Sequence, residues 1–568
     1  MKRLVAVFLL AIMMILPLKG AGAQEYGKVI AQYVGAHQDT TAGVSVAVFT
    51  GEETLYEGYF GHGDMENGVP MSPDTVVEWG SVTKLLVWVS VMQQKEAGKI
   101  DLDADVRDYL PENFLRALKY DEKITMKHLM SHNAGFEETL IGMMTARENE
   151  ILSLEGYLRT FQPRQIYRPG EVTAYSNWGV TLAGYIVERV SGQDFAAYVH
   201  EHIFDKLGMT RTAILPDLSD NAYVQQKRGE LQCYTADRTL IPGAFQYIVM
   251  YPAGMCTSTL SDFAAFGSAL IRRDEALMGK ETWEEMFTPT SYFGDKDNTP
   301  LNCHGFWHKE RGVSMYGHGG NTTGCSSMLL IDPENGVGMT VMTNQSGETV
   351  YNEGLYDEIF GKYPGQPTDF RGWTNSARTI KTGPLKIYKL FTLIPFTDGI
   401  VEEYFTGVHA EIVEENGQTR IVMPYGDQMV ISFASLLPEF ALLLLWGLSH
   451  ILWIICLIAL LFRRKLPRKV KMWRLSVSVS ALLPSVGVAV IACSLFGMTM
   501  LPVWCYRAIS AAGLVIGMVM AGQLLYGIGL YRQANTKKQR VFHTLLMGSL
   551  GIALVNIVYW QMGAFWLI

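Results

Sequence analysis

After Glu439 the chain contains no Asp or Glu, and four long apolar runs fill the stretch that follows, at about 440–462, 475–498, 509–531 and 544–568. Each run is long enough to cross a bilayer core as a helix, which takes about 20 residues. One such run can hide inside a large soluble core; four in series do not fit there. The charges of this tail are all basic. Seven Lys or Arg lie between the first and second runs (463–474), four between the third and fourth (532–540), and Arg507 alone between the second and third. Basic loops stay on the cytoplasmic side of a membrane. Residues 439–568 are therefore expected to form a four-helix transmembrane region that the chain enters from outside. His450, Gln523, Asn556 and Gln561 interrupt these runs. With no acid nearby to make a proton relay, they read as interhelical hydrogen-bonding groups.

A second signal agrees with this orientation. Lys2 and Arg3 precede an apolar stretch from Leu4 to Leu18, and Ala21-Gly22-Ala23 supplies small residues before Gln24. Residues 1–23 have the layout of a secretory signal peptide, and no Cys stands at the cleavage point to take a lipid. Residues 24–438 are thus expected outside the cell. Taking the tail's twelve basic residues from the chain's 47 leaves 35 against all 55 Asp and Glu. So acidic an outer part argues against nucleic acid as a partner. It holds Cys233, Cys256, Cys303 and Cys325. Four Cys allow three pairings, and the sequence does not choose among them. None has metal-ligand spacing; no metal and no cofactor are expected.

Residues 24–365 read as one mixed α/β domain. GVSVAVFT and TLYEGYF are strands joined by a Gly-Glu-Glu turn, and SSMLLIDPENGVGMTVMTN gives two more around Asp-Pro-Glu-Asn-Gly. Between them, Ser81–Ala97 and Trp178–Val190 read as apolar helices closed by Gly98 and Ser191-Gly192. Strands at both ends around a helical middle suggest one sheet completed by both chain ends. Residues 366–438 differ: a Pro- and Gly-rich linker, then an alternating stretch around Asn416-Gly417 that reads as a β-meander between this domain and the membrane.

Three constellations can carry chemistry. Ser81-Val82-Thr83-Lys84 places Ser and Lys on one helix face. Ser needs a base to become a nucleophile, and a partly desolvated Lys at a helix start can serve as one. Tyr175-Ser176-Asn177 offers a phenol for proton transfer and an amide able to hold both Lys84 and a substrate amide. His318-Gly319-Gly320 lies on a strand whose glycines admit a substrate backbone. An unperturbed His titrates near 6.5, so an imidazolium at 318 would favour a substrate carboxylate in mildly acidic conditions.

With their flanks these motifs resemble the serine β-lactamase and DD-peptidase family, in its class C and esterase-like branch. The resemblance runs through VEWGSVTKLLVWVSVMQQKEAGKIDLDADVRDYLPE, ITMKHLMSHNAGF, YRPGEVTAYSNWGVTLAGYIVERVSG, KLGMTRT, PAGMCTSTLSDFAAFG and GHGGNTTG, covering nearly all of 40–347. It implies an antiparallel sheet flanked by helices plus an all-helical region. It implies acylation of Ser81, with Lys84 and Tyr175 moving protons, Asn177, His318 and Gly320 binding substrate, and an oxyanion hole from the N–H groups of Ser81 and Asn321. Lys381-Thr382-Gly383 matches another form of the third motif, but it lies in the linker after the strand pair and is set aside. His132 also matches a family position and reads as structural.

The expected activity is that of a membrane-anchored, extracytoplasmic serine hydrolase acting on D-amino-acid peptides of the wall, β-lactams or esters. His at 318 tilts this toward peptidase or esterase. A sensor that binds a wall fragment or antibiotic without turnover is the competing expectation, and a transporter-like tail a weaker one.

Overall fold

The computed structural model describes residues 23–116, 118–294, 299–364, 373–377, 380–381, 410–415, 417–462, 466–496 and 501–564. Of the expected signal peptide only Ala23 falls within that range. Among the described residues the principal sheet has nine strands. Within it β1 (Gly43–Thr50) is the third strand from one edge, flanked by β2 (Thr54–Asp64) on the edge side. On the other side follow, outward, β6 (Val337–Thr343), β5 (Ser326–Asp332), β4 (Ser314–Asn321) and β3 (Phe306–Glu310). The pairs are antiparallel, and both chain ends complete the sheet as the strand pattern predicts.

Seven of the eight residues of β1 are buried because both of its faces are covered. Alternation sorts them. Val44, Val46 and Val48 pack with Tyr26 and Ile30 of α1 (Ala23–Ala36). Ala47 and Phe49 face the other way, in one cluster with Phe263 and Phe266 of α4 (Leu260–Arg272). The β5–β6 turn is held by Asp332, whose Oδ1 accepts from the N–H of Glu334 (3.1 Å) and Asn335 (3.0 Å).

Beside the sheet lies the helical region. In α2 (Lys84–Glu96) every residue from Lys84 to Met92 is buried, so the helix is a core element and not an amphipathic surface one. It packs on α3 (Asn177–Ser191), which is capped by Ser176 and closed by Gly192 at φ +79°. The sequence predicts helix from Ser81 onward; instead the chain makes a tight 3₁₀ turn over Gly80–Thr83 before α2 begins. Gly80 sits at φ +52°, and a Cβ there would lie 2.5 Å from the Asn321 nitrogen, so the turn is pressed onto the end of β4. Thr83 Oγ1 closes it by donating to Gly80 O (2.6 Å).

The expected meander is present as a four-stranded sheet of β7 (Trp373–Ser376), β8 (Glu411–Glu415), β9 (Gln418–Val422) and β10 (Gln428–Ile431). Its position differs from a plain spacer. Val413, Val422 and Tyr425 pack with Tyr175, Phe293, Leu301 and Trp307 in one apolar cluster, so it docks on the main domain. One residue after β10 the chain enters α5 (Phe433–Phe462), followed by α6 (Arg468–Phe496), α7 (Val503–Arg532) and α8 (Lys537–Tyr559). All four are long and apolar enough to cross a membrane. Their internal polar groups bond between helices: His450 with Ser485 Oγ (2.6 Å), Gln523 with Ser480 (2.8 Å) and Ser476 (2.5 Å), and Asn556 with Leu442 O (3.4 Å).

Candidate functional site

The Gly80–Thr83 turn is tied down on several sides. Ser327 Oγ donates to Trp79 O (2.7 Å), Trp79 N–H to Cys256 O (2.7 Å), and the Trp79 indole to Ser258 Oγ (2.7 Å). On this turn Ser81 faces a cavity of about 410 Å³. Lys84 begins the next element, fully buried, and its Nζ donates to Ser81 Oγ (2.9 Å) and to Ala253 O (2.5 Å). The spacing of three residues works here through a 3₁₀ turn, which sets i and i+3 nearly in line. The Ser81–Val82–Thr83–Lys84 backbone thus delivers hydroxyl and amine to one point.

Ser176 explains how the second motif is held. Its Oγ accepts from Gly179 N (3.0 Å) as the cap of α3, which fixes Tyr175 just before the helix and Asn177 in its first turn. Lys84 Nζ lies 5.0 Å from the centre of the Tyr175 ring. Asn177 reaches the cavity, and its N–H and Nδ2 both donate to Glu138 Oε2 (2.7 and 3.1 Å). One hydrogen of the side-chain amide expected to serve a substrate is therefore engaged by a fully buried carboxylate, Glu138, that sequence reasoning missed. Its only signal was an acidic pair directly after MSHNAGF. His132 stacks on Tyr175 (4.3 Å) and Trp307 (5.6 Å), and its Nδ1 accepts from Ser176 N (3.2 Å). That is a positioning contact, in line with its structural reading.

His318, Gly320 and Asn321 lie along β4 at the cavity wall. A Cβ on Gly320 would sit 1.9 Å from Trp79 O and 3.0 Å from Ser81 N, so only Gly lets β4 approach the Gly80–Thr83 turn this closely. Lys381, from the motif set aside, pairs instead with Thr139 in a short parallel ladder; Thr382 and Gly383 lie outside the described residues.

The charge expected at His318 is corrected by the structure. Trp307 Nε1–H donates to His318 Nε2 (3.1 Å), and an indole N–H can only donate. His318 Nδ1 faces Gly319 O at 2.5 Å, and a carbonyl can only accept. The ring is therefore held neutral, with its proton on Nδ1. Burial, and then the Lys84 charge, push its pKa down to about 3. His318 does not become an imidazolium near neutrality. The ratio of KM between carboxylate-ended and uncharged substrates is expected to stay constant from pH 5 to 8 in initial-rate measurements. A KM that rises through pH 6.5 for carboxylates alone, and stops doing so in His318→Gln, would contradict this. Because the folded pKa lies below the unfolded value near 6.5, the stability from keeping this ring neutral is full above pH 6.5. It is lost as pH falls toward 3, by up to about 1.4 kcal/mol per unit.

Cys233, Cys256, Cys303 and Cys325 are free thiols; Cys233 and Cys325 approach to 3.9 Å between sulfurs, and Cys256 and Cys303 are buried elsewhere. Among the described residues no group of three or more His, Cys, Asp or Glu is placed to hold a metal ion.

The Beta-lactamase family profile matches residues 28–361. The chain is 27% identical over 252 residues to penicillin-binding protein PbpX of Bacillus subtilis, covering 44% of this chain and 59% of that one, so it spans less than two thirds of that relative. It is 26% identical over 343 residues to penicillin-binding protein 4 of Amycolatopsis lactamdurans, covering 57% and 86%. The D-amino acid amidase structure from Ochrobactrum anthropi aligns with a TM-score of 0.49 at 23% identity, over 59% of this chain and 96% of that one. With its profile matched over more than half its length, by a span that holds the Ser81–Lys84 pair, Tyr175, Asn177 and the β4 edge, the chain belongs to the beta-lactamase family.

Proposed function

We propose that this protein is a serine hydrolase that works through an acyl-serine intermediate, held at the membrane by α5–α8 with its catalytic domain outside the cell. The observation that carries the reading is the 2.9 Å contact from Lys84 Nζ to Ser81 Oγ at the floor of a cavity. Ser81 Oγ attacks the acyl carbon while its proton passes to Lys84, acting as the neutral amine. The oxyanion forms against the N–H groups of Ser81 and Asn321, whose backbones the close approach of Gly80 and Gly320 brings together. The proton then goes to the leaving group through Lys84 or Tyr175, and water cleaves the acyl-enzyme by the same route in reverse.

Penicillin-binding proteins among the relatives support β-lactams as ligands, and D-amino-acid peptides and esters are the other two substrate classes of this reading. A neutral His318 offers a carboxylate no charge, which favours uncharged ends such as amides and esters. The test is a hydrolysis screen of the detergent-solubilised full chain with D-Ala-D-Ala peptides, D-amino-acid amides, nitrocefin and short-chain esters. Turnover of at least one, lost in Ser81→Ala, is expected; stoichiometric labelling without turnover would favour the sensor. In intact cells lacking other accessible thiols, Cys introduced at Asp398 or Trp504 should react with an impermeant maleimide, and Cys at Pro467 should not. The reverse pattern would overturn the orientation.

A further inference from the structure

The family match ends at residue 361, yet the small sheet that follows supplies part of the cavity wall. Tyr425, in the turn between β9 and β10, is the residue that does so. Its backbone sits at φ +71°, a conformation that bulky side chains rarely adopt and that persists where the surroundings over-determine it. They do so here. Tyr175 N–H donates to Tyr425 O (3.2 Å), Gly426 bridges Ala174, and Asp427 N–H donates to Thr173 O (2.9 Å). Asp427 also accepts from Thr173 N (3.2 Å) and from Arg420.

Held this way, the Tyr425 ring stands edge-on to Tyr175 (5.8 Å) and His318 (5.9 Å) and leans on Trp307 (4.9 Å). Its hydroxyl lies toward the Gly319 backbone. β3 pairs with β4 no further than Gly317, so the stretch from His318 to Asn321 lines the cavity, and Tyr425 stands over its first half. The cavity of about 410 Å³ is near the low end for a small-molecule site.

Resting on the reading of Ser81 as nucleophile, we propose that Tyr425 is a specificity-determining residue. By capping the β4 edge at Gly319 it leaves only Gly320 and Asn321 for a substrate backbone. It thereby selects short acyl donors, such as single D-amino-acyl amides or small esters, over multi-residue wall peptides. The segment beyond the family match is then part of the active site, and the strained turn is what aims the ring.

The test compares kcat/KM of the solubilised full chain for a D-alanyl anilide and for a pentapeptide ending in D-Ala-D-Ala, in wild type, Tyr425→Gly and Tyr425→Phe. Gly adopts φ +71° freely, so the turn is retained while the cap is removed. The ratio of long to short substrate should rise about tenfold or more in Tyr425→Gly, and stay within about threefold in Tyr425→Phe, which keeps the ring. Labelling rates with a short and a long fluorophosphonate read the same ratio without turnover, and Tyr425→Asn, which also tolerates this backbone, serves if the Gly variant unfolds. Labelling at Ser81 with an unmoved ratio overturns the role of Tyr425 alone. No labelling at Ser81 in any variant overturns the function reading and this one with it.

Discussion

Ser81→Ala is expected to remove all covalent labelling by serine-directed probes and to lower hydrolysis about 10⁶-fold, the scale seen when a nucleophile working in a catalytic unit is deleted. Lys84→Ala should keep Ser81 in place yet lower kcat by about 10²–10⁴, the range of a general base. The asymmetry follows from the geometry. Ser81 is set by the Gly80–Thr83 turn, whose ties to Ser327, Cys256 and Ser258 do not involve Lys84. Losing the amine removes the proton acceptor, 2.9 Å from Oγ, without releasing the turn. Mass spectrometry of the adduct and a thermal melt of each variant separate loss of chemistry from loss of fold. Labelling that survives Ser81→Ala would sink the assignment of the nucleophile, and an unchanged rate in Lys84→Ala would sink that of the base.

The largest stability effect is expected two positions before the Gly80–Thr83 turn. Glu78 and Arg228 form an ion pair (2.6 Å) with side chains only 2% and 4% exposed. Burial works against the Arg228 charge, but the neighbouring Glu78 overrides it and holds the guanidinium above its usual range. Arg228 also donates to Leu231 O (3.1 Å). Arg228→Met leaves the Glu78 carboxylate buried without its cation, which costs about 3–5 kcal/mol. For a domain of this size that lowers the melting temperature by about 4–7 °C. Adding Glu78→Gln should recover part of the loss, because the penalty belongs to the stranded charge more than to the missing contact. A drop below about 1 kcal/mol in Arg228→Met would show that water reaches the pair and screens it. Since Glu78 pairs with Thr257 in the ladder that leads into Trp79-Gly80-Ser81, labelling at Ser81 should slow in the single variant and recover in the double.

Much of this architecture could be read from local pattern. GVSVAVFT alternates between two covered faces, the Asp332 turn closes its hairpin, and Ser176 caps α3, each over a handful of residues. The Ser81, Tyr175 and His318 motifs were legible for the same reason: each is a short string with its own flanks. What stayed hidden depends on long-range placement. Trp307 meets His318 because Trp307 and Gly317 are partners across two strands, and that register decides which protonation state the His adopts. Glu138 bonds Asn177 across 39 residues, and Tyr425 meets Tyr175 across 250, through an element whose strands were predictable and whose docking was not. Ser81–Thr83 reads as the start of a helix because the sequence shows the apolar run of α2 but not the backbone of Asn321 pressing on the turn.

The Trp307–His318 hydrogen bond also bears on how such a site can change over generations. A Lys at 318 would give the Trp307 indole no acceptor and would bury a cation with no anionic partner beside the Lys84 amine. The passage from this third motif to its Lys form is then not a single step. It runs through an intermediate with an orphaned donor and an unpaired charge, unless Trp307 changes first. Each of the two residues determines whether a substitution at the other is tolerated, so the mutational landscape around this strand edge has a valley between its two forms.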